Sequence, residues 1–156
     1  MLNFDKISFL QYIARPIATS VVLFALSAVA AHGDESPLVV ITNIASSAQQ
    51  ISLPEVRLIF SGRKQVWSDG SVIHVVLLNT NSATHQLFVK DVFSVWPHQL
   101  DRAWSRAVFS GRSTPPIIVE TEVQMITLVG TIPGAIGYIF DPTRVVSNPN
   151  VRRIWP

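Results

Sequence analysis

The chain has 156 residues, no cysteine, 48% hydrophobic residues and a formal charge of +2. Without Cys it has neither disulfides nor a thiolate zinc site. With no Lys/Arg run longer than the pairs Arg63-Lys64 and Arg152-Arg153 it lacks the basic footprint of a nucleic-acid binder. The four histidines, His32, His74, His85 and His98, show neither H-x-x-x-H nor H-x-E spacing, so no metal ligand set and no cofactor are expected.

Residues 1–31 read as a secretory signal peptide. Lys6 and Arg15 supply the charged start, Ile17 to Ala30 the apolar stretch, and Ala28-Val29-Ala30 or Val29-Ala30-Ala31 the small-residue cleavage site. The rival reading is an uncleaved anchor. Thr19, Ser20 and Ser27 dilute the run, which is short for a span of about 20 apolar residues, so cleavage and no stable membrane span are expected. Residues 32–156 are then long enough for one domain with one core.

Leu38 to Thr42 (LVVIT) is a short apolar run that predicts a central strand. Ser52-Leu53-Pro54-Glu55 predicts a capping box opening a helix, with Val56, Ile59 and Phe60 inward and Gly62 as its stop. Gln65 to Gly70 is a loop with an Asp-Gly turn, across whose neck Trp67 packs.

Ile73 to Phe88 (IHVVLLNTNSATHQLF) is the most informative stretch. A β-branched apolar run becomes a polar turn at Asn79-Thr80-Asn81-Ser82, then a helix reaching about Val95 with Leu87, Phe88, Val92 and Phe93 on one face. A strand, a hydroxyl-rich turn and a helix start can cap the helix or cradle an anion with free backbone N–H groups.

Pro97 opens the next helix, with Leu100, Ala103, Trp104, Ala107 and Val108 inward and Gly111 at its end. Phe-Ser-Gly-Arg therefore occurs twice, at 60–63 and 109–112. Each copy reads as a helix end: an apolar anchor, a glycine cap and a cation on the dipole. Two arginines converging on an anion is the other reading. Ile117 to Val119 predicts a short strand, and Glu122 to Val129 a helix with Val123, Ile126 and Val129 inward. Ala135 to Phe140 is a strand in which Gly137 implies close backbone approach, and Val151 to Trp155 is a last strand. Strands alternating with helices predict an α/β fold with a mostly parallel central sheet flanked by helices.

The order LVVITN, IFSGRKQVWSDG, IHVVLLNTNSATHQLF and PGAIGYIF resembles the periplasmic phosphate-binding proteins of ABC transporters, and more closely their short, single-lobe relatives. The resemblance spans roughly residues 38–155. It implies a single Rossmann-like lobe of a type II periplasmic binding protein, located in the periplasm, that is a solute-binding protein and no enzyme. Its ligand would be phosphate or a similar oxyanion, held by Thr80, Asn81, Ser82, Ala83 and Thr84. In that family an Arg, an Asp and a Ser-Gly-Thr turn ligate phosphate. Ser82 and Thr84 match the hydroxyl positions and Ala83 the glycine, but the Arg position falls on Leu78 and the Asp position on Thr80. The resemblance therefore implies half a cradle that binds weakly at most, and Leu78→Arg is expected to raise affinity. If Leu78 lies exposed beside the turn, the pocket has become apolar. The alternative function is a periplasmic interaction or signalling module that has lost its ligand and docks on a periplasmic or inner-membrane protein.

Ser82, His85 and Asp91 could be imagined as a hydrolytic triad, but no nucleophile-elbow glycines flank Ser82, so no catalytic residue is expected.

Overall fold

The computed structural model describes residues 38–156, apart from the side chains of Val146 and Ser147. The signal peptide and its cleavage site fall outside the described residues.

Five strands form one sheet: β1 (Val39–Asn43), β2 (His74–Leu78), β3 (Ile117–Val119), β4 (Ala135–Ile139) and β5 (Val151–Trp155). Their order is β3-β2-β4-β1-β5. β2 runs parallel to β3 and to β4, while β1 is antiparallel to β4 and to β5. All strands but β1 thus share one direction, as a mostly parallel sheet requires. The middle place belongs to β4, not to β1, although all five residues of both strands are buried. An apolar run reports burial on both faces but carries no direction, so the reversal of β1 was not readable from its composition.

Alternate residues of β4 look to opposite faces and assign the helices to layers. Gly137 faces α4 (Glu122–Thr131): a Cβ there would meet Met125, with Cγ at 3.1 Å, and Val129 Cγ2 at 3.2 Å. Tyr138 faces the other way, towards Phe60 of α1 (Leu53–Phe60) and Phe88 of α2 (Ala83–Phe88). Outside α1 lies α3 (Pro97–Phe109), tied to it by the Trp104 indole N–H, which donates to Phe60 O at 2.9 Å. The close approach expected at Gly137 is therefore the contact surface of α4.

Two side chains of β1 bind α4 and its exit. Asn43 Nδ2 donates to Val129 O at 2.9 Å and Gly130 O at 3.0 Å, satisfying carbonyls that the helix end leaves free. Thr42 Oγ1 donates to Ala135 O at 2.7 Å. Trp67 closes its loop as expected: it is 3% exposed and its indole N–H donates to Gly134 O at 3.0 Å.

Four local expectations are corrected. No capping box forms at α1, because the Ser52 side chain makes no cap bond and Glu55 pairs with Lys64 instead. The helix expected to run to Val95 stops being α-helical at Phe88 and continues as one wide π turn, Val89–Phe93. Ser94, in the left-handed region at φ 56°, ends it. The inward stripe is His85, Phe88, Val89 and Val92, which leaves Leu87 exposed. The wide turn frees the Val92 carbonyl, and Arg57 Nε donates to it at 2.5 Å. On α4 the inward residues are Met125, Ile126 and Val129, with Val123 outside. Thr121, not read as a cap from the sequence, accepts from Gln124 N at 3.2 Å. Finally, Phe109 is 92% exposed and anchors nothing, whereas Phe60 is fully buried.

Gly137→Val should lower stability by about 1–3 kcal/mol, the usual cost of forcing methyl groups into a packed contact. Urea denaturation of the two proteins would show it as a lower midpoint with unchanged slope.

Candidate functional site

Where β2 ends, the chain turns sharply. Asn79 Oδ1 accepts from Asn81 N at 3.0 Å and Asn79 O accepts from Ser82 N at 2.8 Å, so one residue shapes the whole turn. Ser82 is the N-cap of α2, in extended conformation, but its hydroxyl makes no cap bond. The first bond of the helix runs from Gln86 N to Ser82 O at 3.0 Å. Ala83 and Thr84 precede that bond, and the helix leaves their amides free. Thr80, Asn81, Ser82, Ala83 and Thr84 are thus brought together on one turn and one helix start.

The turn is held from behind by a buried polar pair. β2 and β4 are paired only through His74–Ala135 and Val75–Ile136, then separate. Tyr138 fills the gap: its hydroxyl accepts from Leu78 N at 3.0 Å. That acceptance leaves the phenol proton for His85 Nδ1, 2.5 Å away. His85 is therefore the neutral tautomer carrying its proton on Nε2, an atom with no partner among the described residues. Burial holds the His85 pKa below its ordinary value, against a smaller opposing pull from Asp101 on α3. Burial likewise pushes the Tyr138 phenol well up, so it stays protonated. Phe88 stacks flat on Tyr138 with centroids 3.8 Å apart, and Phe60 meets Phe88 edge-on at 4.8 Å. His85 points to Tyr138 and not to Ser82, so the imagined triad does not assemble.

Leu78 is 1% exposed and Leu77 3%. The turn has therefore not acquired an apolar pocket from Leu78. An Arg at 78 would enter the core unpaired, at a cost of about 3–5 kcal/mol. The expected gain in affinity from Leu78→Arg is withdrawn on that ground.

Around the turn stand carboxylates. Thr80 Oγ1 donates to Asp101 Oδ2 at 3.3 Å, Asn79 Nδ2 to Glu120 Oε1 at 3.3 Å, and Thr84 Oγ1 to Glu122 Oε1 at 2.7 Å. The same Glu122 oxygen accepts from Phe140 N at 3.1 Å. Among the described residues, none of these three acids has an ion-pair partner. The Thr84 hydroxyl is consequently occupied, and the field at the turn is negative. Sequence reasoning missed this ring because Asp101 on α3 and the Glu120–Glu122 pair at the start of α4 lie on two segments distant from the turn. Their single clue was a pair of acids at the N-terminus of α4 and an acid on the outer face of α3. Among the described residues no group of three His, Cys, Asp or Glu is arranged to hold a metal ion.

No protein-family model and no curated protein matches this sequence. Solved structures do match in shape. An ABC-type phosphate transport receptor from Vibrio cholerae superposes with a TM-score of 0.55 at 19% identity, over 75% of this chain and 44% of its own. The fold is that of one lobe of a periplasmic binding protein. PstS from Borrelia burgdorferi gives 0.57 at 18% identity over 76% of this chain and 46% of its own. A Clostridium perfringens protein described as a phosphate ABC transporter substrate-binding protein, with phosphate bound, gives 0.52 at 18% over 74% and 52%. The chain spans about half the length of these relatives. They are described as transport and binding proteins rather than enzymes.

Tyr138→Phe should cost about 2–4 kcal/mol, because it orphans the Leu78 amide and His85 Nδ1 together. A pH effect follows from His85. Its folded pKa is depressed, so as pH falls below the ordinary value of 6.5 the unfolded chain takes up the proton first. Stability from this group is complete above that pH and is lost as pH falls towards the folded pKa, at no more than about 1.4 kcal/mol per pH unit. Urea midpoints at neutral and mildly acidic pH should diverge, and His85→Gln should reduce the divergence.

Proposed function

We propose that this protein is an exported, periplasmic solute-binding protein of the phosphate ABC transporter kind, reduced to one lobe, that binds a phosphate-like oxyanion weakly at most. The supporting observation is the likeness in shape to phosphate transport receptors, with a strand-turn-helix unit whose helix start keeps free donors. The ligand residues on this reading are Thr80, Asn81, Ser82, Ala83 and Thr84. The Ser82 hydroxyl and the amides of Ala83 and Thr84 would make the contacts, and Thr84 would have to release Glu122 to add its own. Among the described residues no helix is long and apolar enough to cross a membrane, which is compatible with a protein that works in the periplasm.

Weakness has two sources. No cation stands where the resemblance places an arginine, since Leu78 is turned into the core. Asp101, Glu120 and Glu122 oppose an anion directly. In water, one unit charge at about 6 Å is worth about 0.7 kcal/mol, near threefold in affinity, and three such charges offset about one charge-assisted amide donor. No enzymatic role is proposed, because the polar groups at the turn lack a nucleophile–base pair.

Calorimetry with phosphate should give a dissociation constant no tighter than about 10 µM, near −7 kcal/mol. A submicromolar constant would sink the weak-binding reading. Neutralising the ring with Asp101→Asn or Glu120→Gln should each raise affinity about threefold at low ionic strength, an effect that added salt should erase. Complete indifference to phosphate in the neutralised variants would instead favour an interaction or signalling module that has lost its ligand.

A further inference from the structure

The two Phe-Ser-Gly-Arg copies close their helices with the same backbone hydrogen bonds. In the first, Gly62 N bonds Ile59 O at 2.9 Å and Arg63 N bonds Leu58 O at 2.9 Å. In the second, Gly111 N bonds Val108 O at 2.9 Å and Arg112 N bonds Ala107 O at 2.9 Å. Gly62 and Gly111 take the left-handed conformation, at φ 74° and 68°, that lets each helix close this way. Both are helix ends, as the sequence implied. They also meet. A cavity of about 510 Å³ lies between them, and Arg63, Arg106 and Arg112 all line it. Ala103 and Ala107, one turn apart on α3, are small enough to leave it open.

The charge here is unbalanced. Among the described residues no carboxylate lines the cavity, and the ion pairs are Lys64–Glu55 and Arg144–Asp141. The Arg112 Nε donates to Ser110 Oγ at 2.8 Å, and among the described residues no side-chain bond engages Arg63 or Arg106. Each helix C-terminus contributes about half a negative charge, which leaves an excess of roughly two positive charges. Guanidinium groups meet oxyanions with paired N–H donors, and a cavity in the range of about 300–1,000 Å³ holds a small organic ligand.

We infer that Arg63, Arg106 and Arg112 form a second binding site, for a multiply charged oxyanion larger than inorganic phosphate. It is separate from the turn at Thr80–Thr84. Ile73 N donates to Gln65 O beside the first motif, at the start of β2, whereas Asn79 follows the end of the same strand. Five residues of strand, roughly 16 Å, lie between them. The proposal therefore does not depend on the turn binding anything.

Amide NMR shifts of the purified protein test it, with inorganic phosphate, pyrophosphate and citrate as probes at matched ionic strength. The amides of Gly62, Arg63, Arg106 and Arg112 should move, with pyrophosphate and citrate binding about tenfold tighter than phosphate, in the millimolar range or below. Pyrophosphate alone answering would mark a phosphoryl ligand, and citrate alone a polycarboxylate. Arg63→Gln, Arg106→Gln and Arg112→Gln, all at exposed positions, should each weaken binding about three- to tenfold. Ser82→Ala should leave these shifts in place while altering any at Asn81–Thr84. Shifts confined to Asn81–Thr84 would overturn the second site and leave the turn reading standing. Isotherms indifferent to all three arginine variants, or matched by sodium chloride, would overturn it as well.

Discussion

The Tyr138 hydroxyl is the contact on which this structure turns. It repairs the place where β2 and β4 part by taking the Leu78 amide, and it fixes His85 on α2 by giving its proton. One phenol thereby joins a central strand, the end of its neighbour and the helix beyond the turn. The aromatic stack of Phe60, Phe88 and Tyr138 keeps water away from those bonds and makes their loss expensive. The turn from Asn79 to Thr84 is thus anchored at both flanks by a residue more than fifty positions along the chain.

The charge pattern divides the molecule along β2. At one end stand Asp101, Glu120 and Glu122, each occupied by a hydroxyl or amide of the turn. At the other stand Arg63, Arg106 and Arg112, largely unoccupied. A net charge of +2 hides this separation. Anions drawn by the general field meet repulsion at the turn and attraction at the two helix ends.

The sequence was legible where one residue type has one use. Gly62 and Gly111 announced helix ends, Gly137 announced a close contact, and a β-branched apolar run marked β2. It was less legible where two partners compete. Ser52 and Glu55 fit a capping box, yet Lys64 takes Glu55 through tertiary contact. The break of the Ala83–Phe93 helix into a π turn is accompanied by Arg57 reaching the Val92 carbonyl, a contact that no local pattern contains. At the candidate site, the residues of the turn were adjacent and visible, whereas Tyr138 and the three acids come from distant segments. That His85 is buried and turned to Tyr138 likewise depends on a partner outside its own helix.

The reversal of β1 has a consequence for how the chain acquires its shape. β1 is the first described strand, yet its partners are β4 and β5: Val40 faces Tyr138, and Ile41 faces Arg153. Nothing made in between can complete its hydrogen bonds. Contacts so far apart in sequence form slowly, because a long loop must close before they return any energy. The ladder of β1 therefore closes late, because both of its edges wait for strands that lie far along the chain.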